Sequence, residues 1–129
     1  MKRPLFLSLL LLIPWMADAQ KKPLDHNAYD GWQSISGTVL SPSGKVVSYA
    51  VNPQEGDGTL YFRIAGKKEP RLIGIPRGYR ARILDNDAYA VCLIKPEFQE
   101  TRRAKIRKLT GDKLPQDSLG VIDLRSGTI

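Results

Sequence analysis

The sequence predicts an all-β chain made of two successive antiparallel units, with one short basic helical excursion inside the second. Three observations predict it. Short runs rich in β-branched and aromatic residues recur from Trp32 onward, each closed by a cluster of Gly, Pro, Asn, Asp or Ser. The second half repeats the texture of the first about 43 residues later, taking Leu40 onto Ile83. Only the stretch 97–109 lacks both Gly and Pro and is filled with helix formers.

The chain has 129 residues and a formal net charge of +7, which bounds it to one domain or two small ones. It begins with Lys2 and Arg3, runs through twelve residues (5–16) that are apolar apart from Ser8 and Pro14, and reaches Ala17-Asp18-Ala19. A positive start, a short apolar stretch and an A-x-A site read as a secretory signal peptide over 1–19, cleaved before Gln20. The apolar stretch is shorter than the ~20 residues that cross a bilayer, so no stable membrane span is expected after cleavage. The product is expected to be exported, periplasmic or secreted. Residues 20–31 are polar and read as an N-terminal arm.

Residues 32–78 form the first unit. Thr38-Val39-Leu40 is a β run, and Ser41-Pro42-Ser43-Gly44 a turn with Pro and Gly at their preferred places. The strand VVSYAV begins at Val46; Val47, Tyr49 and Val51 share one face, and Val46 and Ala50 make the other apolar enough to be covered too. Turn formers fill 52–58, TLYFRI follows from Thr59, and RLIGI from Arg71 is a fourth strand. Trp32 and Tyr49 read as core aromatics.

Residues 79–129 form the second unit, incomplete and carrying an insertion over 95–117. YRARIL begins at Tyr79, Asp85-Asn86-Asp87 is a turn, YAVCLI begins at Tyr89, and SLGVIDL at Ser118. At an offset of 43, Val47, Tyr49 and Val51 fall on Ala90, Cys92 and Ile94; at 59, Thr59-Leu60 fall on Ser118-Leu119. Four strands in 40–45 residues is the spacing of propeller blades. A plain sandwich or an open barrel is the rival architecture. Two blades alone leave two bare faces, and Val46, Val51, Phe62, Ile94 and Val121 are candidates to lie partly uncovered. The isolated chain is therefore expected to be marginal, aggregation-prone or dependent on a partner.

Within the insertion, Phe98, Ile106 and Leu109 make a narrow apolar stripe, and Arg102, Arg103, Lys105, Arg107 and Lys108 a dense run of positive charge. A solvated helix on the rim of a β domain accounts for it. With one aromatic in the segment and an exported chain, nucleic acid is not an expected partner.

No catalytic, cofactor or metal residue is expected. The sole histidine, His26, lies in the polar arm, and G-x-S-x-G, H-E-x-x-H, C-x-x-C and phosphate-cradling glycine motifs are all missing from the sequence. Asp85, Asn86 and Asp87 lack the spacing of a calcium loop and suit a turn; residues 55–58 read the same way. The single Cys92, between Val91 and Leu93, suits a buried, inert thiol.

The residues 40–49, LSPSGKVVSY, resemble the F-S-P-D-G-K-x-x-A-Y blade signature of the N-terminal propeller of prolyl oligopeptidase and dipeptidyl-peptidase-like serine peptidases, also found in TolB-type periplasmic propellers. Leu40 stands for the aromatic and Ser43 for the Asp. Together with DHNAYDGW from Asp25, RGYRA from Arg77 and YAVCLIKP from Tyr89, the chain resembles the opening of an exported enzyme of that family. The resemblance implies a truncated propeller segment, non-catalytic by itself, that acts as scaffold and substrate-access filter. Its implied partners are the remainder of the propeller and an α/β-hydrolase domain, with peptide substrate only in the full enzyme. The alternatives are a small exported TolB-like binding module, or an envelope structural protein.

Overall fold

The computed structural model describes residues 29, 31–66 and 69–129. The expected signal peptide, His26 and nearly all of the polar arm lie outside the described residues. The chain forms two antiparallel sheets. The first is a meander of β1 (Gln33–Leu40), β2 (Val46–Pro53), β3 (Thr59–Ile64) and β4 (Arg71–Pro76), ordered β1-β2-β3-β4. The second contains β5 (Gly78–Ile83), β6 (Tyr89–Ile94) and β7 (Ser118–Asp123), ordered β5-β6-β7. Between β6 and β7 lie helix α1 (Phe98–Ile106) and a 3-10 turn, Gly111–Lys113. Neither sheet closes on itself.

The sheets repeat one another residue by residue. Leu40 pairs with Val47 as Ile83 pairs with Ala90, and Val51 pairs with Thr59 as Ile94 pairs with Ser118. The register break between Ser36 and Val39 recurs between Tyr79 and Arg82, and the left-handed backbone of Gly37 (φ 62°) recurs at Arg80 (φ 49°). The hairpin turn recurs as well: the Gly44 and Asp87 N–H groups each donate over 2.9 Å, to the Ser41 and Leu84 carbonyls, and both residues have positive φ. Bulges re-aim a strand and fix its register, so a shared bulge marks a structural repeat more firmly than shared composition does.

Equivalent positions of the two sheets face in the same direction. On β2 the buried residues are Val46, Ser48 and Ala50. Their counterparts on β6, Tyr89, Val91 and Leu93, point away from the first sheet, and the alternate residues Ala90 and Cys92 are buried instead. The sheets are thus stacked like plates, one face of the first on the opposite face of the second. A two-fold sandwich would bring like faces together.

The core lies at this single interface. Val46, Leu60, Phe62, Ile73 and Ile75 of the first sheet meet Ile83, Ala90, Cys92, Ile122 and Leu124 of the second. Two of the second sheet's residues, Ala90 and Cys92, are small, which leaves room for the larger side chains of the first. Gly78, buried at the start of β5, is part of the fit: a Cβ there would stand 2.8 Å from the Leu60 Cβ. The Arg71 guanidinium ties the sheets at their edge by donating to the Arg125 and Ser126 carbonyls.

Several expectations need correction. Val46 and Phe62 are fully buried, because they belong to the inner face; of the five residues expected to be partly uncovered, Val121 is exposed and Val51 and Ile94 are half-buried. Trp32 is not a core aromatic: it is 53% exposed, packed edge-on against Tyr29 at 4.8 Å. Tyr49 is half-buried on the outer face of the first sheet, with its ring 5.7 Å from that of Tyr61. On α1 the buried residue is Ala104, and Ile106 is 71% exposed. Of the stripe, Phe98 and Leu109 are half-buried and only Ile106 between them is exposed.

Candidate functional site

Among the described residues, polar and aromatic side chains gather at one end of the sheets, around α1. Three connections converge there. The β2–β3 loop (54–58) brings Glu55 and Asp57, the link between β4 and β5 brings Arg77, and the segment after β6 brings Lys95 and Glu97. Backbone hydrogen bonds hold them together: the Arg77 N–H donates to the Gly58 carbonyl at 2.8 Å, and the Lys95 N–H to the Arg77 carbonyl at 3.0 Å.

Helix α1 starts against this platform. Glu97, its N-cap residue, makes no side-chain capping bond. The orphan N–H of Phe98 donates instead to the Asp57 carboxylate at 3.1 Å. A carboxylate at a helix N-terminus also meets the positive end of the helix dipole. Two exposed ion pairs flank the cap, Arg77 with Glu97 at 3.3 Å and Arg102 with Glu55 at 3.7 Å. Being exposed, each contributes little stability.

Phe98 lines three depressions, one of them along α1 with Thr101, Arg102, Lys105 and Ile106. Another is an open cleft of about 970 Å³ lined by Tyr29, Gln54, Glu55, Gly56, Gln99 and Arg102 as well as Phe98. The third is a smaller hollow of about 290 Å³, where Phe98 and Thr101 face Pro96, Leu114 and Pro115. Beyond it the Tyr79 hydroxyl donates to Asp117, and the Lys95 ammonium sits 5.0 Å from the Tyr79 ring centre. The bond to Asp117 holds the Tyr79 phenol above its ordinary pKa. Arg102, Arg103, Lys105, Arg107 and Lys108 are all exposed.

The lining of the open cleft is mixed, with Tyr29 and Phe98 beside the paired Arg102 and Glu55, and no nucleophile stands beside a base among the residues that line it. Among the described residues no group of three His, Cys, Asp or Glu side chains could hold a metal ion. Asp85, Asn86 and Asp87 form the hairpin turn, in which Asn86 accepts the Ala88 N–H at 3.0 Å and Asp87 accepts the Ser43 hydroxyl. Cys92 is buried in the inter-sheet core, where desolvation raises its thiol pKa. Sequence reasoning found the basic helix but missed the cleft, since nothing in the spacing of Glu55, Asp57 and Arg77 announces that they converge. No helix among the described residues is long and apolar enough to cross a membrane.

No family model, curated protein or solved structure matches the chain. The class is therefore carried by architecture alone: a mainly β chain of two stacked antiparallel sheets.

Proposed function

We propose that the chain is a non-catalytic propeller segment, two consecutive blades that serve as scaffold and access filter in an exported serine peptidase of the prolyl oligopeptidase kind. One observation carries the reading: the same-sense stacking of two register-matched sheets, the relation that successive propeller blades bear to each other. The blade-like turn at Ser41-Pro42-Ser43-Gly44 supports the kinship. In the whole enzyme the peptidase chemistry would reside in an α/β-hydrolase domain, and the cleft beside Phe98 would sit on a propeller rim.

Reading the coding DNA downstream of Ile129 tests the kinship. A frame running on into further S-P-D-G-K turns and a G-x-S-x-G motif supports it. A stop codon with strong expression of the short protein points to the second reading, a small exported binding module using the Phe98 cleft and the exposed basic helix. Peptide p-nitroanilides should not be turned over by the purified chain. Turnover abolished by a serine-directed inhibitor would overturn the non-catalytic assignment.

A further inference from the structure

Helix α1 turns a basic surface with an apolar centre toward solvent. Ala104 is its buried residue. At 3.6 residues per turn, the residues two before and two after it, Arg102 and Ile106, stand on the opposite side of the helix. Phe98 precedes Arg102 by four, so Phe98, Arg102 and Ile106 form one row, flanked by Lys105 on one side and Arg103 on the other. A hollow of about 430 Å³ runs along this row. Ile106 is 71% exposed in the middle of the charges.

The end of the helix adds more charge. The Lys108 N–H donates to the Lys105 carbonyl at 2.9 Å and the Leu109 N–H to the Ala104 carbonyl at 3.1 Å, the two bonds of a Schellman motif. Lys108 thus holds the left-handed position (φ 58°) that glycine fills most easily. Arg102 pairs with Glu55, but among the described residues Arg103, Lys105, Arg107 and Lys108 make no ion pair. Glu97 is taken by Arg77, and Glu100, four residues before Ala104, lies toward the buried side of the helix. The helix dipole favours cations in the last turn, but it gives no reason for an isoleucine left in water among them.

We infer that this face of α1 docks on an anionic lipid bilayer, with the helix lying in the plane of the headgroups. Such a surface supplies both things the face lacks. Lipid phosphates meet the unpaired cations, and the acyl boundary just beneath them takes up Ile106. The long Arg and Lys stems let the charged heads stay at phosphate level while the apolar side chain goes deeper. A soluble acidic chain would answer the charges and leave Ile106 exposed. With one exposed apolar residue at its centre, the docking is peripheral and reversible. Helix α1 sits at the end of the sheets, so further sheets stacked on their faces would leave it free. The inference holds under either reading of the chain, and neither the downstream DNA nor the hydrolysis assay bears on it.

The test uses the protein expressed from its full sequence, with vesicles of phosphatidylcholine alone or mixed with phosphatidylglycerol. Ile106→Cys carries an environment-sensitive fluorophore; Cys92 is buried, and wild type taken through the same labelling is the blank. Emission should shift to the blue on the phosphatidylglycerol vesicles, stay unshifted on phosphatidylcholine, and return to its starting value in high salt. The probe reads the site of Ile106 itself, whatever residues 1–19 do at the membrane. Adding Arg103→Gln and Lys105→Gln to the labelled chain should weaken the lipid dependence of the shift about 25-fold, roughly fivefold for each cation. Arg107→Gln with Lys108→Gln is a second pair, and circular dichroism checks that each variant is folded. No shift on phosphatidylglycerol, an equal shift on phosphatidylcholine, or folded charge variants that titrate like the parent each overturn the inference. An equal blue shift on polyglutamate overturns it in favour of a soluble acidic partner.

Discussion

Phe62 and Val121 occupy the same place in the repeat, the fourth residue of β3 and of β7. They meet opposite environments, Phe62 being 0% and Val121 51% exposed. If the core lies only between the sheets, truncating these equivalent residues should have very unequal effects. Phe62→Ala removes the largest fully buried side chain and leaves a cavity, which costs about 3–5 kcal/mol. Against a total stability of roughly 5–15 kcal/mol for an ordinary domain, that loss is a large share. Val121→Ala removes two methyl groups from a surface already wet and should change stability by no more than about 0.5 kcal/mol. With an m value of roughly 1–2 kcal/mol/M, a 4 kcal/mol loss lowers the urea midpoint by about 2–4 M for Phe62→Ala, while Val121→Ala hardly moves it. Urea titration followed by far-ultraviolet circular dichroism, at a concentration where both variants are monomeric, reads the difference. Equal shifts would refute the one-sided core, because they would require the outer face of the second sheet to be buried as deeply as the inner face of the first.

Four further outcomes follow from the same geometry. Ser48 is fully buried on the inner face and its hydroxyl has no partner among the described residues, so Ser48→Ala should raise stability by about 1 kcal/mol in the same titration. Gly78→Ala should lower it by about 1–3 kcal/mol, because the new methyl would press on the base of the Leu60 side chain rather than its flexible end. The Asp123 carboxylate is held below the usual carboxylate range, chiefly by the Arg125 N–H and further by Ser126. Its folded-state pKa is thus below its unfolded one, so its contribution is fully present above the unfolded value of about 3.9 and is lost as pH falls through the folded value. Asp123→Asn should flatten the loss of stability below about pH 4 and leave the slope near neutrality unchanged. The Cys92 thiol, buried and raised in pKa, should react with a disulfide reagent at pH 8 only slowly in the native protein and promptly in denaturant; equal rates would mean the inter-sheet core is open.

Much of the strand order was legible because its local determinants are strong. Turn residues after Leu40 and Ile83, and runs of β-branched residues after each turn, located the hairpins, and the offsets of 43 and 59 match the observed pairing of Leu40, Ile83, Thr59 and Ser118. The helix was legible from its composition, though shorter than the helix-forming stretch, since only Phe98–Ile106 is helical. Which face of each strand is covered was not legible. On β2 both faces are apolar, and alternation alone does not choose between Val46 and Val47. The misplacement of Trp32 has a different origin: the residue lies just before β1 and packs edge-on against Tyr29, so strand alternation does not assign it a face.

The candidate site divides in the same way. The charges on α1 are visible as a run, but the Asp57 cap of that helix comes from 41 residues away. Local sequence determined the hairpins, the helix and the small residues Gly78 and Gly120, because turn propensity, periodicity and side-chain volume act within a few positions. Tertiary structure alone decided that the sheets stack in the same sense, that Phe62 is buried while Val121 is bare, and that Phe98 lines the hollows around α1. Those outcomes depend on how one sheet is rotated over another, a relation set by the summed packing of both faces and by no single segment of the chain.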